Sequence, residues 1–233
     1  MQLTEQYRPN QWSEVVGQDK ALGMLNRLAK RSLAGRAYWI AGPSGTGKST
    51  IARLIALEVA DPFNIDEVDA TDLSAAAVRD LERISHLRGL GEKSGRAFIV
   101  NEAHGLNKAA VRQLLTTLEA DRVPSHVVWV FTTTDHGAAL FDGIDKSPLL
   151  SRCMEVPLAK FGMTHSFALH AKQVAEREGL DGQPLEDYLA LVKKHKNNLR
   201  AVLQEIESGV MSTDLDETEV SEVADCVSQL LGR

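Results

Sequence analysis

The residue types best suited to chemistry lie between positions 42 and 50, where the chain reads GPSGTGKST. Gly42, four intervening residues, then Gly47, Lys48 and Ser49 satisfy the pattern G-x-x-x-x-G-K-[ST]. Gly42, Gly45 and Gly47 let the backbone wrap so that its N–H groups point inward at phosphate oxygens, with Pro43, Ser44, Thr46 and Thr50 completing the loop. Lys48 can reach β- and γ-phosphates, and the Ser49 hydroxyl can ligate Mg²⁺. A glycine-rich turn matching by chance is the competing reading. The flanks argue against it, because an apolar strand must precede such a loop and a helix must follow.

A second group closes an apolar run at Asn101-Glu102. Beside a phosphate loop, the first of two such positions orients the Mg²⁺ shell and the second accepts a proton from an attacking water. Glu102 suits the second task, with capping of the next helix as its structural alternative. Asn101 departs from the expected Asp. Its amide offers a carbonyl oxygen to a Mg²⁺-bound water but brings no negative charge, so weaker Mg²⁺ coupling and slow hydrolysis are expected. Thr132, Thr133 and Thr134 end the next apolar run, where hydroxyls could feel a γ-phosphate, although threonine is also an ordinary strand residue. Arg152 and Arg200, taken singly, read as surface arginines, and Cys153 and Cys226 as small packed residues.

These groups need elements to hold them. Ala37 to Ala41 reads as a buried strand, and Ile51, Leu54, Ile55 and Val59 recur at helical spacing after the loop. Before them, Glu5 to Gln18 reads as a loop and Asp19 to Leu33 as a helix. Pro62 stops the helix that follows the glycine loop. Phe63 to Ala70 has strand character, and Thr71 or Asp72 can cap a helix carrying Leu73, Ala77, Leu81 and Ile84. Ala97 to Val100 and Val127 to Phe131 are apolar strands, separated by a helix that Asn107 begins. This alternation predicts an α/β fold, a parallel sheet flanked by helices, over residues 1–158. Residues 159–233 read as a small all-helical domain, with helices near 164–178, 184–195, 197–208 and an amphipathic helix from Thr218 to Leu231.

Composition narrows the class. Of 233 residues, 43% are hydrophobic and 25% charged, as in ordinary soluble proteins. No apolar run approaches the roughly 20 residues of a membrane span, and the N-terminus lacks a signal pattern. Two distant cysteines form neither a four-cysteine zinc site nor a disulfide framework, which fits a cytoplasmic location. A net charge of −6 argues against a globally basic nucleic-acid binder.

The segments EQYRPNQWSEVVGQ, GPSGTGKST, IVNEAHGLNKAAVRQLLTTLE, VVWVFTTTD, SPLLSRC and NNLRAVL, in this order, resemble the clamp-loader AAA+ ATPases, which include bacterial clamp-loader subunits and replication factor C small subunits. The resemblance spans residues 4 to 208. It implies an ATP and Mg²⁺ site in which Tyr7, Arg8 and Pro9, with Val15 and Val16, line the adenine pocket. It also implies that Thr134 is a first sensor of the γ-phosphate, that Arg200 on the helical lid is a second, and that Arg152 is an arginine finger acting on a neighbouring subunit's ATP. Implied partners are other AAA+ subunits in a homo- or hetero-oligomer, DNA, and a sliding clamp or other replication protein, without a membrane. Arg79, and with it Lys108 and Arg112 one helical turn apart, match positions that would touch DNA phosphates; a solvated helix face is their alternative. Three departures stand out: Asn101 itself, the missing zinc module of bacterial subunits, and the absence of a C-terminal collar domain. Without a collar, a stable ring needs DNA or another protein to organise it. The expected function is therefore an ATP-hydrolysing, clamp-loader-like protein acting on DNA in replication or repair. The alternative, raised by Asn101, is a nucleotide-gated protein-binding module with little turnover. A DEAH-type helicase would need two RecA-like domains, and an adenylate-kinase-like enzyme a second nucleotide pocket.

Overall fold

The structure is a computed structural model and describes residues 1–134, 145, 147–159 and 161–212. In chain order its elements are α1 (Leu3–Gln6), α2 (Asp19–Ala29), β1 (Arg36–Ala41), α3 (Lys48–Val59), β2 (Ile65–Asp69), α4 (Ala75–Ser85), β3 (Arg96–Asn101), α5 (Lys108–Thr117), β4 (Val127–Thr133), α6 (Ser147–Leu150), β5 (Cys153–Pro157), α7 (Thr164–Glu178), α8 (Leu185–Lys194) and α9 (Leu199–Glu207). They group into two units, one of residues 8–163 and one joining residues 1–7 to those from 164 on.

The larger unit is built on a five-stranded sheet in the order β2-β3-β4-β1-β5, with every pairing parallel. Parallel strands are buried on both faces, so they read as continuous apolar runs. Alternate residues serve opposite sides. Trp39, Phe98, Trp129 and Phe131 enter one core with Val78 of α4 and Ala110 and Leu114 of α5. Tyr38, Ile40, Ile99, Val128, Val130 and Val156 enter the other with Leu25 of α2 and Ile51 and Ile55 of α3. In the first core the Phe98 and Trp129 rings lie 4.5 Å apart and Trp39 and Phe131 5.7 Å apart. Each such side chain contributes roughly 1.5–3 kcal/mol by burial.

The sheet matters to the site through its register. Ala41 pairs with Thr133 on one side and Pro157 on the other, Val100 with Phe131, and Asp69 with Asn101. The C-terminal ends of all these strands therefore open along one edge, where open α/β sheets gather ligands.

Several local expectations change. Ser74, not Thr71 or Asp72, caps α4: its Oγ accepts from the Ala77 N–H at 3.1 Å. Leu73 is instead buried in a turn closed by hydrogen bonds from Asp72 to Asp69 and from Leu73 to Ala70. The segment read as a loop from Glu5 to Gln18 starts within the end of α1 and contains a 3-10 turn at Trp12–Glu14. Cys153–Pro157 is an edge strand that the sequence did not announce, since Val156 is its one buried residue. The helix expected from Thr218 to Leu231, and Cys226 within it, lie outside the described residues.

Asn107 caps α5 as expected. Its Oδ1 accepts from the Ala110 N–H at 2.9 Å. Asn107→Ala is expected to cost about 1 kcal/mol of stability in urea unfolding.

The smaller unit packs α7, α8 and α9 around Phe167, Ala171, Val174, Leu191, Val192, Val202 and Ile206. The buried Tyr188 donates its hydroxyl to Asp181 Oδ1 at 2.7 Å, and Lys172 bonds both oxygens of the same carboxylate. α1 packs on α9 through its buried Leu3.

Candidate nucleotide site

The loop leaving β1 is held on three sides. Gly42 N–H donates to Thr133 O at 3.1 Å. A Cβ on Gly42 would stand 2.8 Å from Leu158 Cβ, so only glycine fits between the loop and β5's exit. Gln18, buried at the start of α2, donates through Nε2 to Thr46 O at 3.3 Å and Ala159 O at 3.0 Å, and accepts from Ala159 N–H at 2.8 Å. Gln18 thus ties the loop to the strand exit. Its role was not legible beforehand, because one glutamine in a turn carries no spacing signal.

Within the loop, Gly45 and Gly47 both adopt the left-handed conformation expected of them, at φ +75° and +94°, where a side chain would be strained. Gly45 is half-buried and follows the exposed Ser44. The buried Thr46 closes the turn between Pro43 and Gly47, its Oγ1 donating to Pro43 O at 2.8 Å. Gly47 hands the chain to α3, whose first turn has no side-chain cap. Among the described residues nothing lies within 4 Å of where a Gly47 Cβ would be. The loop's chemistry is cationic. Lys48 is buried and donates from Nζ to Gly42 O at 2.9 Å and Pro43 O at 3.0 Å, which places its ammonium over the loop. Uncapped first-turn amides, the helix's positive end and a buried ammonium form a donor set that fits a polyphosphate. Ser49 and Thr50, the second and third residues of α3, are half-buried beside them.

At the end of β3 the backbone turns sharply. Glu102 sits at φ 49°, ψ 48°, the left-handed region, where a non-glycine residue carries about 1–3 kcal/mol of strain. Its Oε2 lies 3.3 Å from His104 Nδ1, which lies 3.4 Å from Thr133 Oγ1. Asn101, one residue earlier, accepts from Thr132 Oγ1 at 3.0 Å and donates its amide to Glu67 Oε1 at 2.7 Å. Arg53 of α3 holds the other Glu67 oxygen through Nε and Nη2 at 3.1 and 3.0 Å. The pair Asn101-Glu102 therefore faces two side-chain networks, one through Glu67 and one through His104. Glu67 was missed in the sequence because β2 is short and half-exposed, and nothing in its pattern links it to Asn101.

The remaining expected residues fall as follows. Thr134 is exposed just past β4, while Thr132 and Thr133 are the hydroxyls in contact with the β3 corner. Arg8, Pro9, Val15 and Val16 are half-buried in the larger unit, and Val15 packs against its α2–α3 core. Tyr7 belongs to the helical unit, where its hydroxyl donates to Glu178 Oε1 at 2.6 Å; that bond and the carboxylate's charge raise its pKa. Arg200 is exposed on the first turn of α9, in the same unit. Arg152, between α6 and β5, donates from Nη1 to Pro148 O at 2.8 Å, and its Nη2 lies 4.0 Å from Glu119. Arg79, Lys108 and Arg112 are exposed on α4 and α5, where Arg79 reaches Gln113 Oε1 at 3.4 Å. One sheet edge thus gathers the glycine loop, Asn101, Glu102 and the Thr132–Thr134 run.

Comparison with known proteins places this geometry. Residues 38–158 match the model of the ATPase family associated with various cellular activities (AAA). The chain is 29% identical over 159 residues to the DNA polymerase III subunit gamma/tau of Mycobacterium tuberculosis, covering 58% of this chain and 27% of that one. It is 27% identical over 246 residues to the DNA polymerase III subunit tau of Escherichia coli, covering 91% of this chain and 35% of that one. The chain thus spans about a quarter to a third of the length of the curated relatives it matches. In fold it is similar to the RuvB Holliday junction branch migration motor of Thermotoga maritima, with a TM-score of 0.68 at 22% identity over 86% of this chain and 64% of that one.

Proposed function

Because the chain belongs to the ATPase family associated with various cellular activities, we propose that it binds and hydrolyses ATP as a clamp-loader-like subunit acting on DNA in replication or repair. The buried Lys48 ammonium at the uncapped start of α3 carries the nucleotide part of this reading. The likeness to the DNA polymerase III subunits supports the replication part.

In this reading the loop amides and Lys48 bind the phosphates, and Ser49 with Asn101 holds Mg²⁺. The metal, when bound, offsets charge on the β- and γ-phosphate oxygens. Glu102 orients the attacking water and takes its proton. Thr134 and Arg200 sense the γ-phosphate, and Arg152 acts on a neighbouring subunit's ATP. Tyr7, Arg8, Pro9, Val15 and Val16 receive the adenine. Arg79, Lys108 and Arg112 contact DNA phosphates, and the partners are other AAA+ subunits and a sliding clamp or other replication protein. The place of work in this reading is the cytoplasm. Among the described residues no helix is long and apolar enough to cross a membrane.

The first test is titration of a fluorescent ATP analogue. Lys48→Ala removes charge-assisted hydrogen bonds of about 1.5–3 kcal/mol, so affinity should fall roughly 10- to 100-fold. Equal affinity in the two proteins would reject the site. A nucleotide-gated binding module with little turnover is the second reading, favoured by the neutral amide of Asn101. Vigorous hydrolysis by the wild type would reject it.

A further inference from the structure

Asn101 leaves the metal side of the site without the negative charge that an aspartate would bring. The structure puts a carboxylate against it from the neighbouring strand. Glu67 Oε1 accepts from Asn101 Nδ2 at 2.7 Å, and Thr132 Oγ1 donates to Asn101 Oδ1 at 3.0 Å. Only this amide orientation gives Glu67 Oε1 a donor from Asn101, so the Asn101 carbonyl oxygen is fixed toward Thr132 with one lone pair still available. Arg53 grips the second Glu67 oxygen. It stands four residues after Ser49 on α3, so the two project from one helix face.

We propose that Glu67 supplies the negative charge of the Mg²⁺ site in place of an acid at position 101, acting as a positioning residue through the Asn101 amide, with Arg53 tempering that charge. The proposal rests on the Mg²⁺–ATP reading above. A tie between α3 and β2 would need only the Arg53–Glu67 ion pair, whose side chains are 47% and 29% exposed, and such surface pairs contribute little to stability. It would not need Glu67 Oε1 turned onto Asn101. Asp69 stands in register with Asn101. An aspartate at 101 would therefore lie beside two other acids and lose its hydrogen bond to Glu67.

The experiment is a Mg²⁺ titration of ATP-analogue binding at fixed nucleotide, with thermal melting of each variant. Glu67→Gln should raise the half-saturating Mg²⁺ concentration by about tenfold, as loss of a group behind a metal ligand does. Asn101→Asp alone should bring no gain. The double variant Glu67→Gln/Asn101→Asp, which moves the charge from one strand to the next, should return toward the wild-type midpoint. Arg53→Gln should leave that midpoint unchanged or lower it. The proposal is overturned if Glu67→Gln leaves the midpoint unchanged, if Glu67→Gln and Arg53→Gln weaken Mg²⁺ dependence equally, or if the double variant is no better than Glu67→Gln alone. Equal weakening would mark a structural tie, and Arg53→Gln decides between the two even where Glu67→Gln melts too low to assay. Failure of the wild type to bind the analogue at any Mg²⁺ concentration would instead overturn the nucleotide reading itself.

Discussion

Glu102→Gln is expected to lower ATP turnover by about 10²- to 10⁴-fold while ATP affinity stays within a few-fold of wild type. Glutamine keeps the size and the hydrogen-bonding reach of the side chain but cannot take a proton. The backbone already carries the cost of presenting this residue, because position 102 is held in the left-handed region between β3 and the turn at Ala103–Gly105. Strain of that kind persists where surrounding structure enforces it, and here the corner is held by hydrogen bonds from Ala70 N–H to Asn101 O at 2.9 Å and from Gly105 N–H to Glu102 O at 2.8 Å. His104 and Thr133 complete the setting. His104 Nδ1 is within 3.3 Å of the Glu102 carboxylate and 3.4 Å of the Thr133 hydroxyl, so the acid is oriented from the strand that also fixes Gly42. Single-turnover hydrolysis and equilibrium binding, measured on the same preparation, separate the two effects. Turnover within threefold of wild type would show that another group activates the water.

The parts of this molecule that could be read early share a physical cause. β1, β3 and β4 are buried on both faces, so their apolar runs are continuous, and the glycine loop follows the first of them with fixed spacing. Gly45 and Gly47 stand where the loop needs φ near +75° and +94°, a demand that the residue type itself announces. Asn107 caps a helix by its own short side chain, a signal contained within four residues. What stayed hidden depends on contacts between distant segments. Glu67 meets Asn101 only because β2 pairs with β3, and a half-exposed edge strand leaves little hydrophobic pattern to place it. Gln18 reaches Thr46 and Ala159 across 28 and 141 residues of chain. Ser74 displaces Thr71 and Asp72 as a cap because Leu73 is drawn into the core ahead of the helix. Asn101 by itself reads as a deficit. Its surroundings turn it into one end of a hydrogen-bonded pair whose other end carries the charge.

Arg152→Ala is expected to reduce hydrolysis by about 10³-fold or more, the range for loss of an arginine that stabilises transferring phosphate, with ATP binding retained. Arg152 follows α6, and among the described residues its guanidinium meets Pro148 O and, at 4.0 Å, Glu119. An arginine acting on a neighbour's nucleotide makes the rate depend on assembly, so wild-type turnover per subunit should rise with protein concentration and with primed DNA. The stronger form of the test mixes two inactive variants. Arg152→Ala can bind ATP but lacks the arginine; Lys48→Ala keeps the arginine but binds ATP poorly. In a mixed assembly the Lys48→Ala chain lends its Arg152 to the ATP held by its partner, and part of the activity returns. A residue acting within its own chain cannot be supplied this way, because no single chain in the mixture has both Lys48 and Arg152. Restoration on mixing therefore establishes action in trans, whereas a concentration-independent wild-type rate together with an inactive mixture would place the arginine's effect inside one subunit.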